Sequence, residues 1–425
     1  MRTLAEHQRD VDALLEPMLA GLDTRSEPLP IDDPFLVGRV SAADLTAAID
    51  LPPFENSQMD GYAVRTEDFA HRPESVRNQE GAAGSTRLFV GAVTAAGDPP
   101  AAHPPGFAVP VMTGAPIPIG ADAVIPIEQA DPPRFFALGV AGERAASVRF
   151  AAPPPAGQFI RRRGEDLRAG SIVLRAGWRI TPARIGLLAA AGIAAVPVRP
   201  RPRVLLITTG DELTPPGKPL APGRITDAST PLLAAALREV GALVTTERVP
   251  DEPRRLRAVL RKHAAEHDLV VTSGGISAGA FEVVREALDP LGVTFASIAV
   301  QPGGPQGWGT LSLDGAQVPV LCFPGNPVSS ALSLELFLLP HLRRYAGQPA
   351  SLPITHLRLA HAIDSPAHKH QVRRGRLDAD GRVHLGAPGS HLLADLAEAE
   401  VLAHIPLGVS HLPADTPIEV WRLSV

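Results

Sequence analysis

Between Leu51 and Ala63 the chain reads Leu-Pro-Pro-Phe-Glu-Asn-Ser-Gln-Met-Asp-Gly-Tyr-Ala, a run that fits neither a buried strand nor a solvated linker. Its prolines remove backbone donors and Gly61 permits a tight turn, while Asn56, Ser57 and Asp60 set polar groups beside large apolar ones. Such a loop either presents its polar tip to a ligand or is a structural turn closed by Asp60 on its own backbone. A second stretch, Thr272 to Gly279, places glycines and hydroxyls directly after an apolar run: Ser273, Gly274, Gly275 and Ser277. Free backbone N–H groups there can surround a phosphate. The stretch has neither the Gly-Lys-Ser/Thr of a Walker loop nor G-x-G-x-x-G spacing, and a glycine turn with no ligand is the alternative. A third, Pro324-Gly325-Asn326-Pro327-Val328-Ser329, leads into a helix start with Asn326 as N-cap and Pro327 at the first position, so capping alone could explain it.

Carboxylates recur near these loops: Asp211 and Glu212, Asp227, Asp251 and Glu252, and Glu282. Each alone reads as a cap or a solvated charge. As a set they could hold a divalent cation, and hard oxygen ligands around a phosphate favour Mg²⁺. Other chemistries find little support. His368-Lys369-His370 reads as a solvated loop, Cys322 in an apolar run reads as a small buried thiol, and no Gly-x-Ser-x-Gly elbow occurs.

The loops need a frame, and the apolar patterning supplies one. Val11, Leu14, Leu15, Met18, Leu19 and Leu22 recur at helical spacing and predict an N-terminal amphipathic helix. From about residue 42 to 150 short apolar runs broken by Gly and Pro predict β structure, followed by the stiff connector 151–157 and Arg161-Arg162-Arg163-Gly164-Glu165-Asp166. Beyond Arg203 the grammar alternates: buried strands at 204–209, 268–272 and 318–323 each run into one of the polar loops. Thr230 is the expected N-cap of the helix after the first, and one helix is expected from about Val328 to Arg344. Three strand–loop–helix units imply a doubly wound α/β domain, whose ligands bind at the carboxyl ends of the strands. After about residue 350 short alternating runs predict a small β domain.

At 425 residues the chain is too long for one core, and its 45 prolines, about twice the usual ~5%, make many connections stiff. A net charge of −5 argues against non-specific nucleic-acid binding. No run of 18 apolar residues and no signal-peptide pattern is present, so a cytoplasmic protein without a membrane span is expected.

Seven stretches occur in one order: the opening loop, Met112-Thr113-Gly114-Ala115-Pro116-Ile117-Pro118, Arg163 to Asp166, Thr208-Thr209-Gly210-Asp211-Glu212-Leu213, Thr272 to Ser277, Pro302-Gly303-Gly304-Pro305 and Pro324 to Ser329. Together they resemble the MoeA and gephyrin E-domain family, the molybdopterin molybdenumtransferases. The resemblance spans nearly the whole chain. It implies an elongated, discontinuous N-terminal domain (1–45 and 150–182), an inserted β domain (46–149), a molybdopterin-binding α/β domain (183–347) and a C-terminal β-barrel (348–425). It further implies a homodimer whose cleft lies between subunits, with possible adenylyltransferase or molybdoenzyme partners. The implied reaction takes adenylylated molybdopterin and molybdate, depends on Mg²⁺ and releases AMP. A molybdopterin carrier that inserts no metal and a molybdopterin adenylyltransferase are the alternatives.

By motif matching, Asp60, Thr113, Asp166, Glu212, Asp251 and Glu282 fall on catalytic positions, with Glu212, Asp251 and Glu282 as metal ligands. Ser273, Gly274, Gly275, Ser277, Pro302, Pro305, Pro324, Gly325, Asn326, Pro327 and Ser329 fall on cofactor-binding ones. The chain departs from the pattern at three places. Gln301-Pro302-Gly303-Gly304-Pro305 stands where the family reads Lys-Pro-Gly-Lys-Pro, Ala280 replaces an Asp after the glycine loop, and Asp227-Ala228-Ser229 replaces Asp-Ser-Asn. Two expected positive charges are missing, for which Arg161, Arg162 and Arg163 are substitutes by charge alone.

Overall fold

A computed structural model describes residues 1–70, 85–136, 146–277, 282–313 and 315–423. The first helix, Leu4–Asp23, opens with a capping box in which the Thr3 hydroxyl accepts from the Glu6 N–H and Glu6 reaches back to Thr3. Its apolar stripe, Val11 and Leu15, is buried in the core of the distant α/β sheet, against Val204, Leu206, Leu321 and Phe323. His7 lies on the same stripe with its ring 4.6 Å from Trp308 and 4.5 Å from Phe337, and burial pushes its pKa down to about 4. The folded imidazole stays neutral where the unfolded one, near 6.5, takes a proton, so its contribution is intact above pH 6.5 and is lost as pH falls towards 4. The stability difference between wild type and His7→Phe, measured by urea unfolding, should therefore narrow from pH 7 to pH 4.5; a constant difference would refute this.

The expected β region after residue 46 is a six-stranded sheet among the described residues. Its strand Gly61–Val64 lies between Phe107–Val111 and Ala123–Pro126, antiparallel to both. Gly61 is required there because a Cβ would stand 2.1 Å from the Ile125 carbonyl oxygen. Tyr62 is fully buried and donates its hydroxyl to the Arg134 carbonyl. The proline connector brings the chain back beside the opening loop: Ile160–Arg161 pairs with Asn56–Ser57, and Leu51 bridges Leu167. A smaller core of Leu36, Leu174, Ile180, Leu188 and Val196 consolidates the surrounding N-terminal region.

The α/β sheet runs in the order Leu243–Val249, Arg203–Thr209, Leu269–Ser273, Ala316–Phe323, Pro305–Leu313, Thr294–Ser297. The first four strands are parallel and the last two antiparallel. The three predicted buried strands are adjacent, and the fold is the expected multidomain α/β plus β class. The sequence patterning left out the edge strand Leu243–Val249, whose polar Thr-Thr-Glu-Arg interior is mostly solvated. It also left out the hairpin partner Pro305–Leu313, where Gly307 makes room for the Phe295 ring, 2.6 Å from where its Cβ would be.

Two helix expectations are corrected. The helix Ser229–Glu239 starts before Thr230, and Asp227 supplies the capping oxygen, 3.0 Å from the Thr230 N–H. The single helix expected to Arg344 is two, Pro327–Phe337 and Leu339–Tyr345, because Pro340 has no N–H to continue the ladder. Cys322 is buried as expected, its thiol pushed up to about 12 by desolvation.

The C-terminal strands His370–Leu377, Val401–Ile405, Pro417–Arg422 and Ile354–Arg358 form an antiparallel succession that a Leu359–Val383 bridge nearly closes into a barrel. Residues 300–301 add to its edge beside His370 and Gln371. His370 corrects the solvated-loop expectation: it begins a strand and its ring meets the buried His404, Nε2 to Nδ1, at 3.0 Å. Among the described residues no helix is long and apolar enough to cross a membrane.

Candidate functional site

Three parallel strands end side by side, and each ending is shaped by a glycine. Arg203–Thr209 turns at Gly210, where a Cβ would stand 2.6 Å from Glu212 Oε2, so Glu212 folds back over the turn. Leu269–Ser273 runs into Gly274 and Gly275, with φ of +105° and +62°. A Cβ on Gly274 would lie 2.8 Å from the Thr209 carbonyl oxygen, and one on Gly275 would lie 2.9 Å from the Val284 nitrogen. Ala316–Phe323 leads to Gly325, whose Cβ would come 3.2 Å from Gly274 Cα. Backbone thus packs on backbone, an approach that only glycine allows.

The loops are also stitched to one another. Ser273 donates its hydroxyl to the Pro324 carbonyl at 3.1 Å and lies 3.0 Å from the Ser330 hydroxyl. Asn326 caps its helix, accepting from the Val328 and Ser329 N–H groups at 3.0 and 3.3 Å. Ser273 and Asn326 therefore build the loops, while Ser277 is exposed, donating its backbone N–H to Glu282 Oε2 at 2.6 Å. The resulting cavity of about 250 Å³ is lined by Glu212, Asp251, Ser273, Gly274, Gly275, Ser277, Glu282, Gly325 and Pro327, and is roofed by the two short strands Leu213–Thr214 and Ile225–Thr226.

Of the carboxylates, Asp251 accepts the Asp211 N–H at 3.1 Å and faces this cavity with Glu212 and Glu282. Among the described residues no three His, Cys, Asp or Glu side chains converge as a ligand set. Hard oxygen donors around this cavity still suit Mg²⁺, which is commonly held by one or two carboxylates with substrate phosphates and water. Asp227 is a different case: it is fully buried, accepts from the Thr230 N–H and hydroxyl, and pairs with Arg248 at 2.9 Å. It is a structural anchor below the roof, not a ligand facing the cavity. Glu252 is exposed and pairs with Arg255.

Sequence reasoning passed over Thr209. Its hydroxyl is buried, has no hydrogen-bond partner and lines the cavity. The signal was a polar residue ending an apolar strand.

A second group sits elsewhere in the chain. Asp60 Oδ1 accepts from the Thr113 N–H at 2.6 Å and from its hydroxyl at 2.8 Å, and these two bonds hold its carboxyl below the ordinary carboxylate range. Asp166 is exposed, next to the Leu51–Leu167 bridge. Neither they nor any other described residue before Thr208 lines the glycine-loop cavity. Of the three arginines near them, Arg163 is bound to Asp50, leaving Arg161 and Arg162 exposed.

The third group, Pro302 and Pro305, flanks a turn that packs against the helix Pro327–Phe337, which follows the Pro324–Ser329 loop. A Cβ on Gly303 would stand 3.1 Å from Ser333 Oγ, and Gln306 donates to both the Gly303 carbonyl and Ser333. Gln301 is held away: its Oε1 accepts from Gln371 of the barrel at 2.9 Å. Gly304 has ordinary space around it, its nearest neighbour 3.4 Å from a built Cβ. Ala280 lies outside the described residues.

Residues 2–192 match the MoeA N-terminal region (domain I and II), 205–344 a probable molybdopterin binding domain, and 356–423 the MoeA C-terminal region (domain IV). The chain is 39% identical to molybdopterin molybdenumtransferase 2 of Mycobacterium tuberculosis over the full length of both. It is 38% identical to the molybdopterin molybdenumtransferase of Synechococcus elongatus, over 91% of this chain and 92% of that one. The crystal structure of a molybdopterin biosynthesis MoeA protein from Pyrococcus horikoshii superposes with a TM-score of 0.75 at 29% identity, covering 96% and 98% of the two chains. With full-length identity and all three regions in order, this chain belongs to the molybdopterin molybdenumtransferase family.

Proposed function

We propose that the protein is a transferase of molybdenum cofactor biosynthesis that inserts molybdate into adenylylated molybdopterin and releases AMP. The observation that carries this is the meeting of the Gly274 and Gly325 loops at the strand ends, with Glu212, Asp251 and Glu282 lining the same cavity. The backbone N–H groups of Gly275 and Ile276 and the Ser277 hydroxyl bind the pterin phosphate, the Gly274 N–H being held by the Phe323 carbonyl. Glu212 and Asp251 would hold Mg²⁺, which would supply charge to offset the pyrophosphate and polarise its linkage.

Asp60 and Thr113 complete the site from the partner subunit of a homodimer. Two things support that: they lie outside the cavity of their own chain, and they form a preorganised, exposed polar pair. With its carboxyl held ionised by Thr113, Asp60 works at neutral pH as an acceptor that orients a donor, not as a proton source.

Purified protein given adenylylated molybdopterin, Mg²⁺ and molybdate should release AMP; cofactor binding without AMP release would leave only the carrier role. The variant Gln301→Lys/Gly304→Lys should raise the affinity for the anionic substrate about tenfold or more, since each charge-assisted contact contributes roughly 1 to 3 kcal/mol. Gly304 accommodates the new side chain, and Gln301 only has to leave Gln371. An unchanged KM would show that those positions do not face substrate.

A further inference from the structure

Two adjoining recesses open at the opposite edge of the parallel sheet, where the chain passes from the N-terminal region into Arg203–Thr209. One, of about 240 Å³, lies between residues 37–40, Arg179, residues 199–202, the end of the helix Ser229–Glu239 and Tyr345. The other, of about 820 Å³, continues along Arg203 and residues 242–245, and Arg201 and Arg238 belong to both. Six arginines, at 39, 179, 199, 201, 203 and 238, thus line one connected depression in a protein of net charge −5.

Their partners leave donors open. Among the described residues only Arg39 and Arg199 meet a carboxylate, on Glu27 and Asp23. Glu239 and Glu266 also line the depression, but neither reaches ion-pair distance of an arginine. Arg201 lies over the Phe35 ring, 5.7 Å from its centroid, and Arg199 over Tyr345 at 5.5 Å. Held by its face, the Arg201 guanidinium keeps in-plane N–H donors for a ligand, whereas Arg199 gives its Nε to Asp23 and its Nη1 to the Tyr345 carbonyl. Gly38, at φ +83°, makes room for Arg179, whose Nη2 would be 3.2 Å from a Cβ at that position.

We propose that this depression binds a small-molecule polyphosphate. Guanidinium forks match phosphate oxygens two by two, and two connected recesses fit several linked phosphates better than one. The inner recess, at ~30 Å³ per water, holds about eight waters, too little for a folded peptide segment but enough for phosphate groups. The seven residues of Arg203–Thr209 span ~20 Å at about 3.3 Å each, which separates this site from the glycine-loop cavity. Its walls come from both the N-terminal region and the sheet, so a bound polyanion bridges the two.

Inorganic tripolyphosphate is the probe, titrated calorimetrically into the full-length protein carrying Ser277→Asp, which blocks phosphate binding at the glycine loop. Binding should persist there and weaken as salt rises above about 0.15 M. Adding Arg201→Ala/Arg238→Ala should raise Kd about tenfold or more, and Arg201→Lys/Arg238→Lys, which keeps charge but not the forks, should lose part of the affinity. The lysine pair also serves if the alanine pair does not fold. No binding in the Ser277→Asp protein, unchanged binding in the alanine pair, or wild-type affinity in the lysine pair would each overturn the proposal.

Discussion

Chains carrying Asp60→Ala and chains carrying Glu212→Ala, each inactive alone, should recover about a quarter of wild-type AMP release when assembled together in equal amounts. The arithmetic follows from where the two residues lie. Asp60 is paired with Thr113 in the N-terminal β region, whereas Glu212 folds over Gly210 at the glycine-loop cavity. If each cleft takes its Asp60 from one subunit and its Glu212 from the other, a mixed dimer has one doubly damaged cleft and one intact. Random assembly makes about half the dimers mixed, each with half its sites working. Each single variant should cost on the order of a hundredfold in rate, the scale of a lost preorganised polar group. A site contained within one subunit would give no recovery at any mixing ratio, so that result would dispose of the intersubunit cleft without touching the assignment of either residue.

Arg248→Met should destabilise the protein by about 3 kcal/mol or more, because it strands the Asp227 carboxylate in a fully buried position. The Thr230 N–H and hydroxyl remain as partners but carry no positive charge. Asp227→Asn/Arg248→Met, which removes both charges, should recover most of that loss, since the penalty lies in the unpaired ion and not in the missing bridge. Urea unfolding of the three proteins decides it. Equal stability of the single and double variants would mean that water reaches Asp227. The Asp227 N–H also donates to the Thr214 carbonyl, so the single variant should loosen the roof strands and raise KM as well.

What could be read in advance was whatever a short stretch determines by itself. An uninterrupted apolar run ending in Gly, as at Thr209-Gly210 and Ser273-Gly274, locates a buried strand and its loop together, and all three such loops do meet at one sheet edge. What depends on contact between distant stretches stayed hidden. Ser273 looked like a phosphate ligand because its neighbours are glycines, yet its hydroxyl is taken by Pro324 and Ser330, more than fifty residues on. Asp227 looked like one of several cavity carboxylates until Arg248 was found against it. The arginines of the basic depression are spread over two hundred positions, and only the passage from the N-terminal region into the sheet gathers them. Pro340, by contrast, carried a legible break that the apolar pattern around it overrode.

The burial of Val11 and Leu15 against Leu321 and Phe323 also sets an order in time. The helix Leu4–Asp23 has its docking surface encoded some three hundred residues later, in strands and helices that end near Tyr345. At about 5 to 20 residues per second it must wait roughly 15 to 65 seconds with its apolar stripe uncovered. Until then the inserted β region can fold, but the α/β core cannot close. This helix therefore seats only long after it has been synthesised.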